Sequence, residues 1–173
     1  MNKIPCVVYI LGAARLPFLF ARRSLLLWQM KYFTIAELTG SATAKRLGID
    51  NTPPPAIVQN LKYLVFAVLD PIREEYGRPI YVNCAYRCPE LNKAVGGSKT
   101  SAHLNGLAAD LHVNGESNYV LYEIAKRLNL QWDQIILEKG TVRNPAWVHI
   151  GISRTNNRRQ LLYFDGKRYV HLN

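Results

Sequence analysis

Apolar side chains recur at helical spacing at Ile57, Val58, Leu61, Leu64, Val65, Val68 and Leu69, which makes this stretch the clearest element of the chain. Pro53-Pro54-Pro55 precedes it. A first-turn proline gives up an N–H that has no helical partner anyway, so this run stops regular structure and lets a helix begin. Pro71 predicts a bend or break in the last turns, and Tyr76-Gly77 their end. A second helical stripe, Val120, Leu121, Ile124, Ala125 and Leu128, follows Ser117, a residue suited to cap it. Period-two alternation predicts strands over 78–84, from Gly106 to Val113, over 131–137, and through Trp147-Val148-His149-Ile150. A short helix is expected over 89–94 and a flexible loop over 96–100. Residues 32–48 read as a covering loop with a short helical turn. In the tail, Leu161 to Phe164 and Lys167 to Val170 flank Asp165-Gly166, a two-residue hairpin signal. The expected fold class is α+β, with helices packed around a mainly antiparallel sheet.

The first 29 residues break this pattern and are expected to lie outside a domain spanning 30–173. Ile4 to Ala14 is an uncharged, mostly apolar run after Lys3, of signal-core length and too short to span a bilayer. Arg22-Arg23 and a second apolar stretch follow it, which no ordinary signal shows. An over-extended gene start, an export or membrane-associating segment and a docked helix all stay open, and no stable membrane span is expected.

At 173 residues the chain is long enough to bury a core without disulfides. Its net charge of +10 predicts attraction to polyanions, among them nucleic acids, anionic lipid and bacterial wall polymers. No zinc-finger spacing, long basic helix or aromatic ribonucleoprotein motif is present, so a nucleic-acid partner is not expected. Cys6, Cys84 and Cys88 are an odd number, against a disulfide framework. Cys84 and Cys88 lack a second pair at finger spacing and read as small packing residues.

Three residues carry the candidate chemistry. His103, Asp110 six positions on, and His149 beyond an intervening helix would give Zn²⁺ three ligands and leave a fourth position for water, the stoichiometry of a catalytic site. On their strands Asp110 and His149 point away from the apolar sets Leu107, Ala109, Leu111 and Val148, Ile150, Ile152. Each taken alone also has an ordinary structural use, as a loop cap, a surface carboxylate or a half-buried strand histidine. His112 shares the face of Asp110 and can compete as a ligand.

The run Ser101-x-His103-x-x-Gly106-x-Ala108-x-Asp110, with Tyr86-Arg87, Leu91-Asn92 and Gly96-Gly97 upstream and Trp147-Val148-His149 downstream, resembles the M15 peptidases. These are zinc D-alanyl-D-alanine carboxypeptidases and phage endolysin peptidases of the Hedgehog/DD-peptidase fold, and the likeness covers roughly residues 32 to 153. It implies Zn²⁺ on His103, Asp110 and His149, and hydrolysis of peptidoglycan stem peptides by a monomer. The setting it implies is a phage lysis enzyme, cytoplasmic until release, or an enzyme of the cell envelope. Arg87 is expected to engage a substrate carbonyl or carboxylate, because its planar fork matches oxygen pairs and keeps its charge. Ser101 is expected to bond substrate or to orient the metal loop, with a plain turn hydroxyl as the alternative.

Peptide hydrolysis also needs a carboxylate that shuttles a proton. Glu138 is the candidate, at the end of a strand able to pair with that of His149, and Asp133 is the reserve. The Hedgehog domain shows a similar glutamate. Many M15 enzymes instead keep theirs three residues before the last histidine, where this chain has Ala146. A zinc-containing wall-binding domain without catalysis, which the Hedgehog resemblance allows, is the alternative function, and a basic DNA-associated phage structural protein a third.

Overall fold

The computed structural model describes residues 29–172, so the expectations for residues 1–28 lie outside the described residues. Asp70 ties the start of the described chain to the helical layer, its carboxylate accepting from the Lys31 and Tyr32 N–H groups at 2.8 and 3.1 Å. Two short helices follow, α1 (Ile35–Thr39) and α2 (Ala42–Leu47), where the sequence suggested one turn. Both are capped: Thr34 and Glu37 form a reciprocal capping box, and Ser41 accepts from the Ala44 N–H.

The long apolar stripe forms α3 (Pro55–Leu64), a π-helical turn at Val65–Leu69 and α4 (Asp70–Tyr76). The expected break at Pro71 is thus a widened turn, in which the Asp70 N–H donates to Val65 O. Such a turn accommodates the proline, which has no N–H to offer, without interrupting the helix. Gly77 ends α4 at φ 74°, a left-handed value that glycine adopts at low cost.

The remaining elements in chain order are β1 (Tyr81–Cys84), α5 (Pro89–Ala94), a 3₁₀ turn (Ala102–Asn105), β2 (Ala108–His112), α6 (Tyr119–Arg127), β3 (Gln134–Glu138), β4 (Trp147–Gly151), β5 (Gln160–Phe164) and β6 (Tyr169–His171). They build a six-stranded sheet of order β1-β2-β4-β3-β5-β6, antiparallel throughout except for the parallel pair β3/β5. The chain is therefore α+β, as expected. Two local expectations are corrected. Helix α6 starts two residues after Ser117, whose hydroxyl still accepts from the Tyr119 N–H at 3.2 Å. The β5–β6 connection is the four residues Asp165 to Arg168, not two, because the Asp165 carboxylate accepts from both the Lys167 and Arg168 N–H groups.

Strand alternation divides the sheet into two chemistries. One face carries Ala109, Leu111, Ile135, Leu137, Val148 and Ile150, all fully buried against Leu61, Leu64, Leu121 and other helix residues. Burying each of these larger side chains contributes about 1.5–3 kcal/mol, enough to fix the register, since a one-residue slip would turn the whole set outward. The other face therefore receives the alternate residues. One row across it reads Cys84, Asp110, His149, Ile136, Leu162, and the next reads Trp147, Glu138, Phe164, Tyr169.

Candidate active site

His103 sits in the 3₁₀ turn before β2, 2% exposed, and its ring nitrogen Nδ1 is 2.7 Å from Ala85 O. A carbonyl only accepts, so Nδ1 carries the proton and the Nε2 lone pair is left for the site. Gly106 closes this turn at φ 62°, and a Cβ there would meet Ile57 Cγ2 at 2.9 Å and Leu61 Cγ at 3.1 Å. Only glycine fits that position, which explains why it stands three residues after the histidine.

Asp110 and His149 are direct cross-strand partners in the β2/β4 pair. Asp110 Oδ1 is 2.8 Å from His149 Nδ1 and 3.3 Å from His103 Nε2, and the two histidine nitrogens are 3.2 Å apart. The structure thus brings together all three residues singled out from sequence. Ligands held 2.0–2.1 Å from a tetrahedral zinc stand about 3.3 Å from one another. Two of the three separations match, and the third is drawn in to hydrogen-bond length. Two imidazoles and a carboxylate are also donors that zinc accepts, so these residues fit the ion.

The electrostatics agree with that fit. Burial lowers the pKa of His103, partly opposed by the charge of Asp110, a direction that favours the neutral ring a metal requires. Burial alone would raise the Asp110 carboxyl, but the two imidazoles set against its oxygen at 2.8 and 3.3 Å outweigh it and hold the group well below the usual carboxylate range.

A different grouping, Cys84, His103 and Asp110, has its donor atoms all within 4.8 Å of one another. Cys84, read from sequence as a packing residue, is the β1 partner of Asp110 across a local shift in strand register. Its Sγ lies 3.9 Å from His103 Nδ1, the nitrogen already committed to Ala85 O. Burial, and next the negative charge of Asp110, push its thiol up to about 12, so it is a neutral thiol at neutral pH. The set with His149 is the tighter donor arrangement, its three atoms lying within 3.3 Å of one another.

A cavity of about 640 Å³ opens over this cluster, and Arg87, Ser101, Glu138 and Trp147 line it. Glu138 ends β3 opposite Trp147, one row from His149. Burial raises its pKa, with the nearby charges of His149, Lys139 and Arg87 opposing the rise and that of Asp110 adding to it. Its carboxylate makes no hydrogen bond among the described residues, which suits a group that exchanges a proton. Lys139 follows at φ 56°, a strained value for a non-glycine residue, and holds its ammonium 5.2 Å from the Trp147 ring.

Arg87 donates from Nη2 to Ser101 Oγ at 3.2 Å, while its Nε is buried with no hydrogen-bond partner. Asn51, which the sequence did not flag, fixes the loop that carries Arg87. Its Oδ1 accepts from the Cys88 N–H at 2.7 Å and its Nδ2 donates to Tyr86 O and Thr39 O. Asn118 does the same ahead of β4, donating to Pro145 O and Ala146 O and accepting from the Val113 N–H. An asparagine that serves carbonyls distant in sequence leaves no signature in a single chain.

The remaining titratable candidates are engaged elsewhere or exposed. Asp133, the reserve proton carrier, is paired with Arg158, whose Nε lies 2.9 and 3.1 Å from its two oxygens and whose backbone N–H donates at 2.7 Å. These bonds from Arg158 lower its pKa, which makes it a poorer proton acceptor than Glu138. His112 stacks on Tyr81 with ring centroids 5.1 Å apart, and His171 is exposed on β6. Among the described residues no helix is long and apolar enough to cross a membrane.

A search of curated proteins returned no match for this chain. The family model described as peptidase M15 matches residues 31–151, a span that contains β1 to β4 and every residue of the His103, Asp110 and His149 cluster. The chain belongs to the M15 peptidase family.

Proposed function

We propose that this chain is a zinc-dependent peptidase that hydrolyses peptide bonds of bacterial peptidoglycan stem peptides, as a D-alanyl-D-alanine carboxypeptidase or a related endopeptidase. The observation that supports this best is the convergence of His103 Nε2, Asp110 Oδ1 and His149 Nδ1 within 3.3 Å on the floor of a cavity that Glu138 and Arg87 also line. Those three residues would hold the ion. Zinc, when bound, supplies the Lewis acidity that makes water nucleophilic near neutral pH and polarises a carbonyl.

The other residues do the positioning and the proton transfer. Ala85 O keeps His103 in the tautomer that presents Nε2. Glu138, made more basic by burial, takes the proton of the attacking water and passes it to the leaving amine. Arg87, steadied by Ser101, receives a substrate oxygen pair on its fork, where the unpaired Nε is a buried donor in want of an acceptor. The net charge of +10 suits a substrate embedded in anionic wall polymers.

The test is digestion of purified peptidoglycan followed by mass analysis of the fragments, with and without chelator. Chelator-sensitive release of D-alanine or of stem-peptide fragments is the expected result, and intact wall would overturn the reading. One observation favours a zinc-containing wall-binding domain instead: Ala146 stands where many M15 enzymes keep their glutamate. Stoichiometric zinc without cleavage at high protein concentration would select that alternative.

A further inference from the structure

The family match ends at residue 151, yet the sheet continues for two more strands, β5 and β6. Parallel pairing sets Leu162 beside Ile136 and Phe164 beside Glu138, and β6 sets Tyr169 opposite Phe164. The Phe164 and Tyr169 rings stack with centroids 4.6 Å apart at 29°. Leu162, Phe164 and Tyr169 all line the cavity that holds His149 and Glu138. Tyr169 is 57% exposed and lines the cavity, so its ring is accessible to a bound peptide.

The dimensions set what reaches the hairpin. Adjacent strands are about 4.8 Å apart, so β6, three strands from β4, lies about 14 Å from the strand of His149. Extended peptide covers that distance in about four residues. Arg87, which follows β1, belongs to the other end of the sheet order. With a carboxylate held at Arg87, the amino-terminal part of a bound peptide runs across β3 and β5 towards β6.

We propose that the β5–β6 hairpin is the subsite for the amino-terminal part of the substrate. The Phe164–Tyr169 pair packs on the aliphatic stem of a residue three or four positions before the scissile bond, so the enzyme favours a full stem peptide over a terminal dipeptide. This rests on the peptidase reading above.

The experiment compares a D-alanyl-D-alanine dipeptide with a pentapeptide ending in the same two residues, in the zinc-loaded full chain and its Tyr169→Ala and Tyr169→Phe variants. KM and kcat are measured, and binding of both peptides to protein carrying Glu138→Gln, with and without the Tyr169 changes, is followed by calorimetry. Tyr169→Ala is expected to weaken the pentapeptide about tenfold more than the dipeptide, and Tyr169→Phe to restore most of the loss, since the ring provides the contact. Equal effects on the two peptides, or none, would overturn the subsite. Should neither peptide be cleaved by the unaltered chain, the peptidase reading falls, while the calorimetric comparison still decides whether the hairpin reads peptide length.

Discussion

Asp110 and His149 face each other across the β2/β4 pair with Oδ1 2.8 Å from Nδ1, although 39 residues separate them in the chain. Neither residue reaches the other by its own choice of conformation. The pairing follows from the buried set Ala109, Leu111, Val148 and Ile150 on the opposite face, which fixes the register of both strands.

Replacing His103 or His149 with alanine removes one of three donors and is expected to abolish stoichiometric zinc, measured by metal analysis of the purified protein. Cys84→Ser separates the two donor groupings. Zinc content should persist, because the thiol is neutral and the His103 nitrogen it approaches is occupied. Loss of zinc in Cys84→Ser would move the centre to the Cys84 set.

Glu138→Gln keeps the shape of the cavity and removes the proton carrier. Zinc content should be unchanged and kcat should fall by about 10²–10⁴, the usual contribution of general acid–base catalysis. The sign of the pH dependence follows from burial, which raises the pKa of Glu138. Below that raised value the carboxyl is protonated and cannot accept a proton, so the acid limb of kcat/KM should lie above the ordinary glutamate range. Because the folded state holds this proton more tightly than the unfolded chain, ionising it costs stability as pH rises through that window. The melting temperature of Glu138→Gln relative to the parent should therefore improve from the acid to the alkaline side of it.

Arg158→Ala strips Asp133 of its ion pair and leaves a buried carboxylate with the backbone N–H of residue 158. Arg158 is half exposed, so solvent screening limits the cost to about 1–2 kcal/mol at neutral pH by denaturant titration. The Asp133 pKa is depressed in the folded protein, so this contribution is present above the ordinary aspartate range and disappears as pH falls through the depressed value. The stability gap between variant and parent should close in acid. Asp133→Asn should retain turnover within a fewfold, as expected of a structural carboxylate.

Gly106→Ala puts a methyl group against Ile57 and Leu61 at a left-handed backbone position. Strain and overpacking together should cost about 1–3 kcal/mol. Because the same turn carries His103, a zinc titration should show weakened affinity in addition to a lower melting temperature. A change in stability with no change in zinc affinity would show that the turn and the centre are uncoupled.

Several features of the protein are determined by the chain alone, because they depend on neighbours in sequence. The helical stripe from Ile57 to Leu69, Pro89 opening α5 and the alternation around Asp110 and His149 are local matters of spacing and backbone preference. The motif from Ser101 to Asp110 with the late Trp-Val-His was legible for the same reason, and so was the family. Tertiary structure decided what depends on register and on contacts between distant segments. It made Cys84 a neighbour of Asp110, paired Asp133 with Arg158, and carried Phe164 and Tyr169 to the cavity of Glu138. A linear pattern states which face a side chain takes on its own strand. Which strand lies beside it is set by the burial of the opposite face and by where the connections close, and these are properties of the assembled sheet.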